Sequence, residues 1–304
     1  MTESKHDLSP VVVVGAGAAG SVLTRALHDI GIRVSHVISR TPESAHRLAE
    51  AVGADTASDR LVDVREMPKL LVLSVPDDQI PVMARRLANI DLEWEGCTAM
   101  HMSGALSSAV LKPLQDRGAE TMSFHPMISL HVDSPTDVLK GAWINIEGAR
   151  DATVIGQSMA DQVGARGHIV SARDKAVIHV VASLASNYVV TLLSLAVDLL
   201  GSTGIDQSEY DALLRPLLSG TISNVDFEDP GEALTGPISR GDQQTVRAHL
   251  DILRDLAPEL IPVVSSLAAE TVRLAVQHGR ITDIVASELL NLVEEAVDST
   301  LSRD

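Results

Sequence analysis

Three glycines near the N-terminus have a spacing that suits the binding of a dinucleotide pyrophosphate. Gly15, Gly17 and Gly20 directly follow the apolar run 11–14, and a helical pattern begins beside them. In such a turn the first glycine permits a tight bend, the second lets the backbone approach the phosphates, and the third lets the helix lie close to the strand. The amides at the helix N-terminus can then hold the anion. The predicted cofactor contacts here are Gly15, Ala16, Gly17, Ala18, Ala19 and Gly20; the alternative is a turn used only for packing.

The end of the second predicted strand indicates which dinucleotide would bind. An NAD site usually has Asp or Glu about 20 residues after the glycines, to bind the ribose hydroxyls. This chain instead reads Ser39-Arg40-Thr41. A guanidinium group and two hydroxyls suit a 2′-phosphate, so the sequence predicts NADP(H) rather than NAD(H). The alternative is a solvated Arg40 and a relaxed choice of cofactor.

A later turn, Ser74-Val75-Pro76, follows another predicted strand. Ligands of doubly wound folds bind at the carboxyl ends of the strands. These three residues are therefore predicted to border the adenosine ribose or the nicotinamide half of the cofactor, unless the turn only ends the strand.

Four polar residues recur every four positions in the second half of the chain: Lys175, His179, Ser183 and Asn187. Helical periodicity puts them on one face of a helix. Residues 176–197 contain no charged side chain, a length at which a membrane span must be considered. The polar face favours a soluble, buried helix instead. Polar groups in an apolar helix need partners, so the stripe indicates either substrate chemistry or structural hydrogen bonds.

The elements around these motifs predict an α/β fold, with an N-terminal doubly wound Rossmann domain followed by an all-α domain. Short β-branched runs alternate with helical stretches up to about residue 170. Predicted strands are 11–14, 33–38, 70–75, 98–102, 143–146 and 168–170. Predicted helices of the second half are 174–200, 208–224, 242–256, 259–278 and 282–301. The predicted domains are residues 1–170, which bind the cofactor, and residues 171–304, which serve the substrate and dimerisation.

Composition argues against several classes of partner. The chain has 24 Lys plus Arg against 41 Asp plus Glu, a net charge of -17, and only six scattered aromatic residues. This charge repels phosphate backbones and anionic lipids, so neither nucleic acid nor a membrane is expected as a partner. Cys97 is the single cysteine, and no Cys/His spacing resembles a zinc site. With no export signal at the N-terminus, we expect a cytoplasmic protein that binds a small molecule and no metal.

Six segments together resemble one family over nearly the full chain: VGAGAAG at 14–20, VPDD at 75–78, HMSGAL at 101–106, SFHPM at 123–127, DKAVIHVVASLASNY at 174–188 and LTGPISRGD at 234–242. The chain resembles the Rossmann-like proteins with a C-terminal domain of unknown function 2520. These belong to the 6-phosphogluconate-dehydrogenase-like reductases, whose relatives include ketopantoate reductase and pyrroline-5-carboxylate reductase. The resemblance implies an NADP-dependent reductase cleft and a helical domain that forms a homodimer.

The resemblance also implies roles for the polar stripe. Lys175 would give a proton to the carbonyl oxygen being reduced, His179 would lie beside the nicotinamide, and Asn187 would orient the substrate or the cofactor amide. The candidate substrate contacts are Ser103, Gly104, His125, Ser183, Thr235 and Arg240. The chain departs from many relatives at Ala18-Ala19, where a larger or basic residue is common, and it lacks the late acidic residue of classical ketopantoate reductases.

Two candidate contacts have structural alternatives. Arg240 could clamp a substrate carboxylate, or its loop could serve mainly to place Asp242 as the cap of the next helix. His125-Pro126 follows a predicted strand and could face the cleft or form a turn, and the His-Pro-Met segment resembles one in prephenate dehydrogenases.

These features favour an NADPH-dependent reductase of a small 2-oxo acid, with ketopantoate to pantoate as the best single substrate. Fold alone does not set the substrate. The alternatives are a pyrroline-5-carboxylate-like imine reductase, a prephenate-type dehydrogenase, and a non-catalytic NADP(H) sensor. A sensor would not need a proton donor at Lys175.

Overall fold

The computed structural model describes residues 8–227 and 229–301. The chain forms two compact units that divide between Val189 and Val190. Residue 170, where the sequence predicts the domain boundary, follows the last strand, which ends at Ile169, and precedes this division.

The first unit contains an eight-stranded sheet with the strand order β3-β2-β1-β4-β5-β6-β7-β8. Neighbouring strands are parallel except β6 and β7, which are antiparallel. The strands are β1 Val11–Val14, β2 Val34–Ile38, β3 Thr56–Ser58, β4 Leu70–Leu73, β5 Thr98–His101, β6 Glu120–Pro126, β7 Trp143–Gly148 and β8 Arg166–Ile169. The doubly wound order and parallel pairing confirm the predicted Rossmann domain.

Helices of the first unit cover both faces of this sheet. They are α1 Ala18–Asp29, α2 Pro42–Val52, α3 Ile80–Ala88, α4 Lys112–Gln115, α5 Arg150–Gln162 and α6 Ala172–Ala182. The strands β1 and β4 are uninterrupted apolar runs and are fully buried, as expected for strands covered on both sides. Val11 and Val13 pack into one apolar core, and Val12 and Val14 pack into a second core on the opposite face.

The strand β3 was missing from the sequence prediction, and β6 was expected before His125 but without defined bounds; both matter for the site. The three-residue strand β3 contains only small residues, and β6 mixes polar with apolar side chains. Neither strand carries a run of β-branched residues that local pattern could reveal. Pairing with a neighbouring strand holds each of them in the sheet. His125 and Pro126 were expected after a strand, but they are the last two residues of β6 itself.

The second unit is helical, as predicted. Its helices are α7 Tyr188–Leu200, which begins at the boundary, α8 Tyr210–Asn224, α9 Gln243–Leu256, α10 Ile261–Gln277 and α11 Asp283–Leu301. Val246 and Leu250 of α9, Ile261 and Val272 of α10 and Leu289 of α11 belong to one apolar core. Asp242 caps α9 by accepting a hydrogen bond from the Thr245 amide at 3.0 Å. The loop therefore has the helix-capping role that was expected as the alternative to a substrate clamp.

The long apolar helix differs from its prediction. Residues Ala172–Leu200 are long and apolar enough to cross a membrane, with a mean hydropathy of 1.9 in the most apolar window, yet none of that window is buried in the part of the chain that the structure describes. The prediction of a buried helix is therefore wrong for the single chain. Hydropathy reports which side chains favour burial, but it does not tell whether the same chain or another molecule covers them.

Candidate active site

A cavity of about 490 Å³, here called the nucleotide cavity, opens at the carboxyl ends of β1, β2 and β4. Its lining includes predicted cofactor contacts from three separate segments: Gly15, Ala16, Gly17, Ser39, Arg40, Thr41, Ser74, Val75 and Pro76. The remaining three, Ala18, Ala19 and Gly20, form the first turn of α1 beside it. The fold thus brings the glycine turn, the Arg40 segment and the Ser74 turn to one site.

The three glycines have the distinct roles that the motif predicts. Gly15 has φ +108°, and a Cβ atom there would lie 2.1 Å from the Ser74 carbonyl oxygen. A Cβ atom at Gly20 would lie 2.5 Å from the Gly15 carbonyl oxygen. At Gly17, by contrast, a Cβ atom would meet no described atom within 4 Å. Gly15 and Gly20 therefore permit close packing, whereas Gly17 leaves open space at a helix N-terminus, and this cradle fits a bound dinucleotide.

The nucleotide cavity also contains two charged residues that sequence reasoning missed, Arg86 of α3 and Asp59 after β3. Arg86 adds a second guanidinium group to that of Arg40. No carboxylate follows the second strand directly, but Asp59 brings one to the cavity from the end of the neighbouring strand β3. Parallel strands end at the same edge of a sheet, so recognising β3 would have pointed to Asp59.

Lys175 is held by the loop that follows β5. Its side chain is 1% exposed, and its Nζ donates to the carbonyl oxygens of Ser103 at 2.7 Å, of Gly104 at 3.0 Å, and of Leu106. Burial lowers the pKa of Lys175 to about 8, although the carboxylates of Glu147 and Asp77 oppose this shift. An ammonium group has three N–H donors, and all three have carbonyl partners. The proton donation to substrate that the resemblance implies would require one of these bonds to break.

Further hydrogen bonds make this loop rigid. The Ser103 hydroxyl donates to Asp77 at 2.8 Å and accepts from the Leu106 amide at 3.0 Å. His101 is fully buried; its Nδ1 accepts from the Ser103 amide and its Nε2 lies 3.1 Å from the Ser107 carbonyl oxygen. Burial lowers the pKa of His101 to about 4. A neutral imidazole satisfies both bonds, so His101 serves as a structural support of the loop.

Two further imidazoles flank Gly104 in this loop. The rings of His125 and His179 lie 5.9 Å apart, edge to face. A Cβ atom at Gly104 would lie 2.5 Å from His179 Nδ1 and 2.8 Å from His125 Nε2, so any larger residue would displace the rings. Burial, followed by the charge of Lys175, lowers the pKa of His125 to about 4. His125 is therefore neutral near pH 7.

A second cavity of about 410 Å³, here called the imidazole cavity, adjoins these rings. Its lining brings together four of the predicted residues, His125, His179, Ser183 and Asn187. A π-helical segment, Ser183–Asn187, separates α6 from α7. This wider turn shifts the register of the predicted straight stripe, and such segments often occur at functional sites. Lys175, the first residue of the stripe, points into the loop and does not line the cavity.

The two remaining candidates, Thr235 and Arg240, belong to the second unit. Arg240 is exposed and ends a short turn before Gly241, which has φ +70°. Their contact with a substrate stays a prediction.

Two family models match the chain in succession. A Rossmann-like domain matches residues 3–126, and a domain of unknown function, DUF2520, matches residues 142–271. The chain is a Rossmann-like protein with a C-terminal DUF2520 domain. This confirms the resemblance inferred from the motifs.

Solved structures share the fold of this DUF2520 protein. A candidate NADP oxidoreductase of Bacteroides fragilis is 25% identical, with 86% of this chain and 97% of that chain covered and a TM-score of 0.75. An imine reductase of Myxococcus stipitatus in complex with NADP⁺ is 17% identical, with 92% and 99% covered and a TM-score of 0.59. The second likeness concerns the fold alone.

A curated relative supports the same class of protein. The NADP-dependent shikimate dehydrogenase of Rhizobium meliloti is 41% identical over 104 residues, 34% of this chain and 33% of its own length. The chain spans a third or less of the length of the curated relatives it matches. The nucleotide cavity and these likenesses agree with the predicted class, an NADP-dependent oxidoreductase with NADP(H) as cofactor. The substrate is a separate question.

Proposed function

We propose that this DUF2520 protein is an NADPH-dependent reductase of a small 2-oxo acid, with ketopantoate as the leading single substrate. One observation carries the proposal: His125 and His179 line a cavity and flank Gly104, and the loop that contains Gly104 encloses the buried ammonium group of Lys175. This arrangement offers hydrogen-bond donors and positive potential to an oxygen that gains negative charge. Such stabilisation is the main requirement for reducing a carbonyl group.

The residues of the nucleotide cavity would hold the cofactor. The amides around Gly17 are placed for the pyrophosphate, and Arg40 and Arg86 for the 2′-phosphate. When bound, NADPH supplies the hydride.

The chain's own residues would act on the substrate oxygen. Neutral His125 has its Nε2 on the side of Gly104 and can donate a hydrogen bond there. Lys175 keeps its charge within the loop and contributes through the potential it creates. His179, Ser183 and Asn187 would orient the rest of the substrate from the cavity wall.

The test is a panel of 2-oxo acids, cyclic imines and prephenate, monitored by oxidation of NADPH or reduction of NADP⁺. We expect turnover of at least one small 2-oxo acid, and loss of turnover with retained NADPH binding in His125→Phe. Turnover of cyclic imines alone would make the protein an imine reductase, and oxidation of prephenate a dehydrogenase of that type. Tight NADPH binding without turnover of any compound would favour the sensor.

We also propose that a second copy of the chain covers the apolar helix, with residues 1–170 serving the cofactor and 171–304 the substrate and the dimer. Five side chains of this helix in the first unit are more than half exposed: Val177, Val180, Val181, Leu184 and Tyr188. The net charge of -17 disfavours an anionic membrane as the covering surface.

We propose a cytoplasmic location for this protein. The free and buried Cys97 is in keeping with it.

Sedimentation equilibrium would test the dimer. We expect a dimer for the unmodified chain and dissociation for Val180→Asp, while Val62→Asp, at an exposed valine of the turn Leu61–Asp63, remains dimeric. A monomer that floats with phosphatidylcholine vesicles would instead show that lipid covers the helix.

A further inference from the structure

A row of polar side chains crosses the last three strands of the sheet. His125 of β6 is paired with Asn145 of β7, and Asn145 is paired with His168 of β8. Directly paired residues on neighbouring strands project to the same face of a sheet. The row therefore leads from the imidazole cavity to two residues, Asn145 and His168, that do not line that cavity.

Trp143 fixes the orientation of the Asn145 carboxamide. Asn145 is 1% exposed, and its Oδ1 accepts a hydrogen bond of 2.8 Å from the indole Nε1 of Trp143. The indole itself is stacked on the His168 ring, with centroids 3.3 Å apart and planes 7° apart. Because the indole nitrogen only donates, Oδ1 is identified as the oxygen and Nδ2 as the amino group.

Donor and acceptor groups without partners occur side by side in this row. The buried atoms Asn145 Nδ2, His125 Nδ1 and His168 Nε2 have no hydrogen-bond partner among the described residues. The amino group has two N–H donors, and each neutral imidazole has one acceptor nitrogen. Directly paired residues have Cβ atoms about 4.5–5.5 Å apart. A small side-chain rotation or a single bridging water would connect them.

We propose that Asn145 is a positioning residue for His125: its amino group donates to His125 Nδ1, directly or through one water, and thereby keeps the ring proton on Nε2. Nε2 is the nitrogen that lies next to Gly104. Trp143 acts one step further back, since it holds the carboxamide that selects the tautomer. Donation from this Nε2–H group to a substrate oxygen rests on the proposed function. The assignment of the proton to Nε2 does not depend on it.

Nitrogen NMR of the full-length protein, labelled with ¹⁵N in its histidine rings and free of cofactor, tests the tautomer. The His125 signals are assigned by their loss in His125→Gln. We expect a neutral ring that carries its proton on Nε2 near pH 7. A ring that carries its proton on Nδ1 in the unmodified protein would overturn the proposal.

The variant Asn145→Asp keeps the size of the side chain and its acceptor for Trp143, but it replaces the amino donor with an acceptor. We expect Nδ1 of His125 to become protonated in this variant. Asn224→Asp makes the same chemical change at an exposed position of α8 and should leave the His125 signals unchanged. An unchanged tautomer in Asn145→Asp would contradict the proposal.

Trp143→Phe provides a second route if Asn145→Asp does not fold. It keeps an aromatic ring over His168 and removes only the indole donor, so we expect a mixture of His125 tautomers; a single unchanged tautomer would count against the proposal. If an accepted 2-oxo acid is found, kcat should fall about 10-fold or more in Asn145→Asp with the affinity for NADPH unchanged. A shifted tautomer in a protein that reduces nothing would support the positioning role and refute the proposed reaction.

Discussion

The nucleotide cavity and the imidazole cavity lie in the same unit but are built in different ways. The nucleotide cavity consists of turns that directly follow three parallel strands, and its central feature is backbone, the glycine turn at residues 15–20. The imidazole cavity combines the end of β6 with α6 and the π segment, and side chains from distant positions meet there around Gly104. A cavity made of backbone leaves a local motif in the sequence. A cavity made of converging side chains does not.

The two cavities also differ in where they keep their charge. The nucleotide cavity presents Arg40 and Arg86 at its lining, where water and salt weaken their attraction for an anion. The imidazole cavity has the neutral ring of His125 in its lining, and the ammonium group of Lys175 is buried in the adjoining loop. The first arrangement suits recognition of a charged cofactor, and the second suits stabilisation of charge that appears only during a reaction.

The largest expected effect concerns Lys175. Lys175→Met keeps much of the side-chain length but removes the charge and all three donors to the loop. We expect kcat to fall about 100-fold or more, with the dissociation constant for NADPH unchanged, because the nucleotide cavity does not contain this residue. Steady-state kinetics and a fluorescence titration with NADPH measure the two quantities. Lys112→Met, at an exposed lysine of α4, is the control.

An unchanged kcat in Lys175→Met would assign Lys175 a purely structural role and strengthen the sensor alternative. Loss of NADPH binding would show that the two cavities are not independent.

The second effect is on stability in acid. A histidine of the unfolded chain binds a proton with a pKa of 6.5, whereas burial holds the pKa of His101 at about 4. Between these values the unfolded chain binds more protons, so the free energy of unfolding decreases as pH falls from about 6.5 to about 4. For His101 the loss is on the order of 3 kcal/mol, and His125 adds to it in the same direction.

Denaturant unfolding at several pH values between 4 and 8 measures this loss. His101→Asn should flatten the profile, while His28→Asn, at an exposed position of α1, should not. A profile that is flat in the unmodified protein would show that these imidazoles are protonated in the folded state.

The third effect distinguishes the cofactors. If Arg40 binds the 2′-phosphate, Arg40→Asp should weaken NADPH binding about 10- to 100-fold and leave NADH binding nearly unchanged. The increase in Tm caused by each cofactor gives the same ranking. Arg47→Asp changes an exposed arginine of α2 that does not line the cavity. Equal stabilisation of the unmodified protein by NADPH and NADH would refute the role of Arg40.

The smallest effect lies in the second unit, where a cap and a candidate clamp are neighbours. Asp242→Ala removes the acceptor for the Thr245 amide and should lower Tm by about 2–4 °C without changing KM. Arg240→Lys keeps the charge but loses the planar pair of donors. It should raise KM for an accepted 2-oxo acid without changing Tm. An unaltered KM in Arg240→Lys would restrict this loop to its capping role.

Much of the fold could be predicted from the sequence because it depends on local pattern. The glycine turn and Arg40 follow strands whose apolar runs are unmistakable, and helices α8 to α11 have regular apolar periodicity. Each of these signals lies within a few residues of the element it describes. The cofactor class followed from the same short segments.

Other features could be decided only by the tertiary structure. The strand β3 exists because β2 pairs with it, and only then does Asp59 reach the nucleotide cavity. Lys175 was singled out by its spacing, but its three carbonyl partners lie about 70 positions away along the chain. The sequence by itself determined which side chains favour burial and which backbone turns need glycine. Long-range packing decided which groups meet and whether the chain itself covers the apolar helix. Hydrogen bonding and burial depend on distance in space, and residues that are close in space can be far apart in the sequence.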